Sequence, residues 1–249
     1  MNDEFFIGWE AKVSAKTRRW LKGLIGGLLF VVVSVAALLV SGQQTVAPEG
    51  RFDFGTVREF RGVLVGEPVP ALIDDEGSHS LLVAPFKHGL DPERAKALHL
   101  ESVRLKGTRI WRGDEEMIEV LPESIEVVNG RALGSHPLGA EIDLGEVSLQ
   151  GEIVDSKCFL GVMNPGNLKP HRACAMNCIQ GGIPPILLVR NRNGEASHFL
   201  LLGPGGQAIN QEILDLVAEP VSVRGLLKRR GSQFVLYADP AHFSRIAKP

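Results

Sequence analysis

Apolar and polar residues follow two regimes along this chain. Between Lys22 and Glu49 no charged residue occurs, and residues 23–42 read Gly-Leu-Ile-Gly-Gly-Leu-Leu-Phe-Val-Val-Val-Ser-Val-Ala-Ala-Leu-Leu-Val-Ser-Gly. Roughly 20 apolar residues at about 1.5 Å rise each cover the ~30 Å hydrocarbon core of a bilayer. The stretch exceeds the ~7–15 residues of a signal-peptide core, so it predicts a retained transmembrane helix over 23–42, with cleavage after Gly42 as the other reading. Beyond residue 50 the pattern changes to short alternating runs bounded by Gly, Pro, Asp and Asn, which predicts β-strands.

The strands fall into two similar sets. Val103-Arg-Leu-Lys-Gly107 matches Val221-Ser-Val-Arg-Gly225, Gly113 matches Gly231, and Pro122 matches Pro240, each pair 118 residues apart. Ser78-His-Ser-Leu-Leu82 matches Ser197-His-Phe-Leu-Leu201 at a distance of 119. A near-constant offset is the mark of an internal repeat. In copy one the pattern predicts strands at 58–65, 69–75 and 80–85, a helix opened by Asp91-Pro92-Glu93, then strands at 102–109 and 116–121. Copy two gives strands at 148–154, 186–192 and 197–202, a helix capped by Asn210, then strands at 221–227 and 233–238. Three strands, a helix and two strands is the order of an OB-type barrel. The expected architecture is mainly β: a transmembrane helix and two tandem OB-like barrels, at 50–133 and 145–246, joined by a linker at 134–144.

The repeat is broken once. Gly62 matches Gly151 at a distance of 89, but Pro70 matches Pro185 at 115, so copy two carries 26 additional residues between its first two strands. That insertion, about 158–184, holds all three cysteines, Cys158, Cys174 and Cys178, together with His171. Copy one folds without them, which marks them as candidates for function. A helix opened by Pro170 puts His171, Cys174 and Cys178 within about 60° of arc, and Cys158 completes a four-donor set. Three thiolates and an imidazole form a tetrahedral zinc set. Copper(I) suits soft thiolates with Met163 or Met176 nearby, and an iron–sulfur cluster accepts histidine in place of some thiolates. A disulfide from Cys158 to Cys174 or Cys178 is the competing reading, and a thiol redox site a third. Asp155 is either a partner for His171 or a strand-end residue. Gly181-Gly182-Ile-Pro-Pro185 reads as a turn that stiffens the return to the next strand.

The segment Gly151-Glu-Ile-Val-Asp155-Ser-Lys-Cys158, then His171-x-x-Cys174-x-x-x-Cys178 and Gly181-Gly182, resembles a motif of small exported bacterial OB-like proteins, a largely uncharacterised group. Their pattern is G-x-V-x-D-x-x-C, then H, C-x-x-x-C and G. The resemblance spans about residues 149–190 and implies export and a shared cysteine–histidine site, with no activity attached.

Charge adds orientation and excludes one class of partner. Lys12, Lys16, Arg18, Arg19 and Lys22 precede the apolar stretch, whereas Arg51 alone lies near its far end. Positive residues stay cytoplasmic. This places 1–22 inside a bacterial inner membrane, with a single pass and the bulk of the chain in the periplasm. Phe5, Phe6, Trp9 and Trp20 suit an interfacial anchor. The net charge of −2 and an aromatic content of 6% give neither a basic field nor a stacking platform for nucleic acid. No G-x-S-x-G, Walker loop or His-Glu-x-x-His occurs, which argues against a stand-alone enzyme. His79 and His198 occupy equivalent repeat positions and read as structural; His88, His99, His136 and His242 show no ligand spacing. The expected partners are the membrane and proteins of a membrane oxidoreductase complex. The chain would serve there as an electron-transfer or assembly subunit. A disulfide-braced binding module or a thiol oxidoreductase are the alternatives.

Overall fold

The computed structural model describes residues 13–43, 50–128 and 141–246. The chain divides into two units, residues 1–47 and 48–249. In the first, helix α1 spans Ala15–Gln43, 29 residues, and is long and apolar enough to cross a membrane. It starts eight residues before the apolar stretch. Ser14 Oγ accepts the Thr17 N–H as an N-cap, and the intervening Lys and Arg residues are good helix formers. Phe5, Phe6, Trp9 and Lys12 lie outside the described residues.

The second unit contains the two expected barrels. Strands β1 (Arg51–Phe52), β2 (Arg58–Val65), β3 (Ala71–Ile73) and β4 (His79–Val83) precede helix α2 (Pro92–Ala97). After it come β5 (Ser102–Arg112), β6 (Glu115–Val120) and β7 (Glu126–Val127). Antiparallel pairs β5–β2, β2–β3, β3–β4 and β5–β6 and the parallel pair β4–β6 close a five-stranded barrel. The second barrel uses β8 (Ile142–Asp155), β9 (Pro185–Arg190), β10 (Ala196–Leu202), β11 (Pro220–Arg230), β12 (Gln233–Tyr237) and β13 (Ser244–Arg245). Its ring β11–β8–β9–β10–β12–β11 repeats the same pairing senses, including the parallel closure β10–β12. This is the OB order in both copies. The offset survives in three dimensions: β5 and β11 begin and end 118 residues apart, and the Gly113 and Gly231 turns share a φ of 58°.

Gly62 and Gly151 show why the copies share glycines. A Cβ at Gly62 would lie 2.2 Å from Ile73 O, and one at Gly151 2.4 Å from Leu188 O. Each glycine lets a neighbouring strand cross closely at the barrel wall. Gly62→Ala and Gly151→Ala are each expected to destabilise by about 1–3 kcal/mol, the cost of overpacking. Urea unfolding of both variants checks this; a neutral result at one position alone would break the equivalence.

Two local expectations change. Asp91 caps α2 as expected, its carboxylate accepting the Glu93 N–H, with Pro92 in the first turn. Its counterpart in copy two is not an α-helix. The Asn210 amide donates to Ile179 O and Ile183 O, which takes it away from any capping role. The segment then runs through turns and a 3₁₀ turn at Leu214–Leu216, with Ile209, Ile213 and Val217 buried in the barrel core. Strand β8 also begins earlier than expected, at Ile142, because it pairs with β11 as far as Arg229. The expected 134–144 linker therefore gives its last residues to β8, and residues 129–140, with His136, lie outside the described set.

The barrels share a core. Leu81, Val83, Ile110 and Met117 from the first pack in one cluster with Cys158, Phe159, Leu160, Ile186, Leu200 and Val235 of the second. The insertion residues 158–160 form part of this seam, so the cysteine segment is built between the barrels.

Candidate metal centre

The insertion begins where β8 ends. Asp155 is the last strand residue and is fully buried. Its Oδ1 accepts the Cys158 N–H at 2.8 Å, which starts a π-helical turn at Cys158–Val162. Cys158 thus sits three residues past the end of the strand. A 3₁₀ turn at Lys169–His171, with proline in its first turn, leads into helix α3 (Arg172–Gln180). That helix carries Cys174 and Cys178, and His171 is its N-cap residue. The expected helical face is therefore realised across a 3₁₀-to-α junction.

All four expected donors converge. Cys158 Sγ and Cys174 Sγ are 4.0 Å apart, and Cys178 Sγ lies within 4.8 Å of Cys158 Sγ. The donor atoms of Cys158, His171 and Cys174 all lie within 4.8 Å of one another, as do those of Asp155, Cys158 and Cys178. His171, Cys158 and Cys178 are buried and Cys174 is half-buried. His171 Nε2 meets Asp155 Oδ2 at 2.9 Å, so Asp155 is at once a strand-end residue and the partner of the imidazole. That pairing commits Nε2 to the carboxylate and leaves Nδ1 for a ligand. The neighbouring Cys178 thiol, followed by burial and the Asp155 charge, pushes the Cys158 thiol up; the same pairing lowers Cys178.

Barrel one supplies the lid. In its Ala84–Gly89 loop, Lys87 Nζ donates to Cys174 Sγ at 3.2 Å. The thiol in turn raises the Lys87 pKa through that bond. Gly89 N–H donates to Gly181 O at 2.9 Å. A Cβ at Gly181 would fall 1.9 Å from Lys87 O. The Gly181-Gly182 pair is thus more than a turn: it admits the loop of the other barrel. Lys157, only 2% exposed, donates to Ala84 O and Phe86 O at 3.0 and 2.6 Å and pairs with Glu119 at 2.5 Å.

Sequence reasoning missed both lysines. Lys87 lies in the copy that lacks the insertion, and no spacing rule links it to Cys174. Lys157 stood inside the motif as an unread position; its only signal is a lone cation between Val154 and Phe159. Neither methionine joins the donors: Met176 packs on the barrel-two core and Met163 is 43% exposed.

One edge of the donor set has the length that a tetrahedral ion requires. Bonds of about 2.3 Å to sulfur imply sulfur–sulfur edges of about 3.8 Å, against the 4.0 Å found. A disulfide requires about 2.05 Å. Asp155→Asn keeps the shape but weakens the hold on the imidazole tautomer. It is expected to lower metal affinity about 10–100-fold, measured by chelator competition. The chain matches no protein-family model, no curated protein and no solved structure.

Proposed function

We propose that this is a membrane-tethered, extracytoplasmic protein whose seam carries a closed metal centre of Cys158, His171, Cys174 and Cys178. It acts as an accessory or assembly subunit beside a membrane oxidoreductase complex. The observation that carries the reading is the clustering of Cys158, His171 and Cys174 within 4.8 Å of one another, with Cys178 beside Cys158 and Lys87 of the other barrel as the roof. Four protein ligands leave no open coordination position, which favours a structural or electron-transfer centre over a hydrolytic one. Zinc is the metal the set suits best, since thioether donors for copper are turned elsewhere. The basic residues Lys16, Arg18, Arg19 and Lys22 before the apolar span support an exterior barrel pair. The motif resemblance supports export.

A second reading keeps one observation in its favour. Cys158 and Cys174 are close enough to pair after a sulfur shift of about 2 Å, and an oxidising compartment promotes that. One experiment separates the two. The full chain, purified in detergent without chelator, is analysed for metals, free thiols and visible absorbance. About one ion per chain with all three cysteines protected supports the metal centre, and absorbance assigns it to electron transfer. No metal with a single free thiol overturns it in favour of a disulfide-braced binding subunit.

A further inference from the structure

The seam contains polar atoms that neither the donor cluster nor Lys157 uses. Ser156 is 1% exposed; its N–H donates to Pro184 O, while its Oγ has no partner. His198, on β10, has a buried Nε2 that is likewise unpartnered. Glu115 Oε1, at the start of β6 in barrel one, stands 4.0 Å from that nitrogen. This is within reach of an ion pair but beyond hydrogen-bond length. Ser156, His198, Glu115 and Gln233 line one cavity, walled otherwise by apolar side chains from both barrels. The His198 ring is held against Phe159 of the Cys158 turn at 5.4 Å.

Volume decides what this cavity takes. It measures about 10 Å³. Ligand pockets run to about 300–1,000 Å³, so serine, histidine and carboxylate cannot act together on a substrate here. One water needs about 10–15 Å³ and two to four polar partners. Both conditions are met.

We propose that this cavity is a built water site, in which one internal water joins Ser156 Oγ, His198 Nε2 and the Glu115 carboxyl and makes Glu115 a proton-responsive element of the seam. Water offers two donors and two acceptors, enough to satisfy a hydroxyl, a ring nitrogen and a carboxyl in either protonation state. Burial, and then Asp114, raises Glu115 to about 7. Burial, and then Arg112, lowers His198, so the imidazole is neutral at neutral pH. The groups facing Glu115 are His198 from β10, Asp114 from the turn before it and its cross-strand partner Arg112. Ser156 and Gln233, from β8's end and β12, do not titrate. A folded-state pKa above the unfolded one adds stability that is full below the unfolded carboxyl range and is lost as pH rises through about 7.

The test uses the full chain. A crystal structure fine enough to show ordered water should place one peak within hydrogen-bond distance of all three groups. Ser156→Val, whose methyls fill the cavity, should lose the peak and raise the Glu115 midpoint in a carboxyl-carbon NMR titration. If that variant fails to fold, Ser156→Ala removes one partner without bulk and should speed exchange of the water. A dry cavity in the wild type, a direct His198–Glu115 hydrogen bond without water, or an unchanged exchange rate in Ser156→Ala would overturn the proposal.

Discussion

Cys178→Ser is expected to weaken metal binding by about 100-fold, so that a chelator strips the variant at concentrations that leave the wild type loaded. Cys178 is 2% exposed, lies beside Cys158 and Asp155 and packs in the cluster shared by the two barrels. A serine hydroxyl is a hard ligand that stays protonated, so the variant keeps the volume and loses the bond. Structural zinc sets contribute roughly 10–16 kcal/mol; an even share for one of four ligands is about 3 kcal/mol, or ~100-fold in affinity. The loss should appear as a weaker dissociation constant in competition with a chelator of known affinity, and as a thermal midpoint lowered toward that of chelated wild type. His242→Ala, at an exposed position, is the control and should change neither. Unaltered metal content and affinity in Cys178→Ser would sink the four-donor site. In the disulfide reading the same variant leaves Cys158 and Cys174 paired, and its one effect is to remove the single reactive thiol.

The elements that the sequence announced are those whose partners lie nearby in the chain. β5–β6 and β11–β12 are hairpins closed by Gly113 and Gly231, so their strands and turns repeat at a fixed distance. The insertion stood out for the same reason, because a duplicated barrel provides its own reference. His171, Cys174 and Cys178 were legible because one short helical segment fixes their spacing. The seam was not. Lys87 with Cys174, Lys157 with Glu119, and Glu115 with His198 join residues 38–87 positions apart in sequence that belong to different barrels. Such pairs leave no periodic trace. The Asn210 helix failed on the same principle: its buried spacing of Ile209, Ile213 and Val217 is helical, but a long-range bond to the end of α3 claims the capping side chain. The repeat thus revealed the parts that each copy builds alone, and concealed the contacts that duplication made possible between them.

Lys157→Ala is expected to destabilise the barrel unit by about 3–5 kcal/mol, the cost of leaving a buried charge without its partner. Burial of an ammonium at 2% exposure is tolerable here because every proton is used: two reach carbonyls of the Ala84–Phe86 loop and one meets Glu119. Truncation orphans both carbonyls, isolates a carboxylate that is 18% exposed and opens a cavity beside Cys158. At roughly 2–4 °C per kcal/mol for a unit of this size, the thermal midpoint should fall by about 10 °C. Glu119→Gln removes the charge but keeps an acceptor, and should cost clearly less. The loop that carries these carbonyls also carries Lys87, so the same variant should loosen the roof over Cys174 and speed its alkylation in metal-free protein, while Glu119→Gln leaves that rate near wild type. Equal stability losses in the two variants would show that the ion pair, and not the pair of carbonyl bonds, holds the loop. A loss below about 1 kcal/mol in Lys157→Ala would place that lysine in solvent, where single ion pairs are worth little, and the lid would then have to be held by the Gly89–Gly181 contact alone.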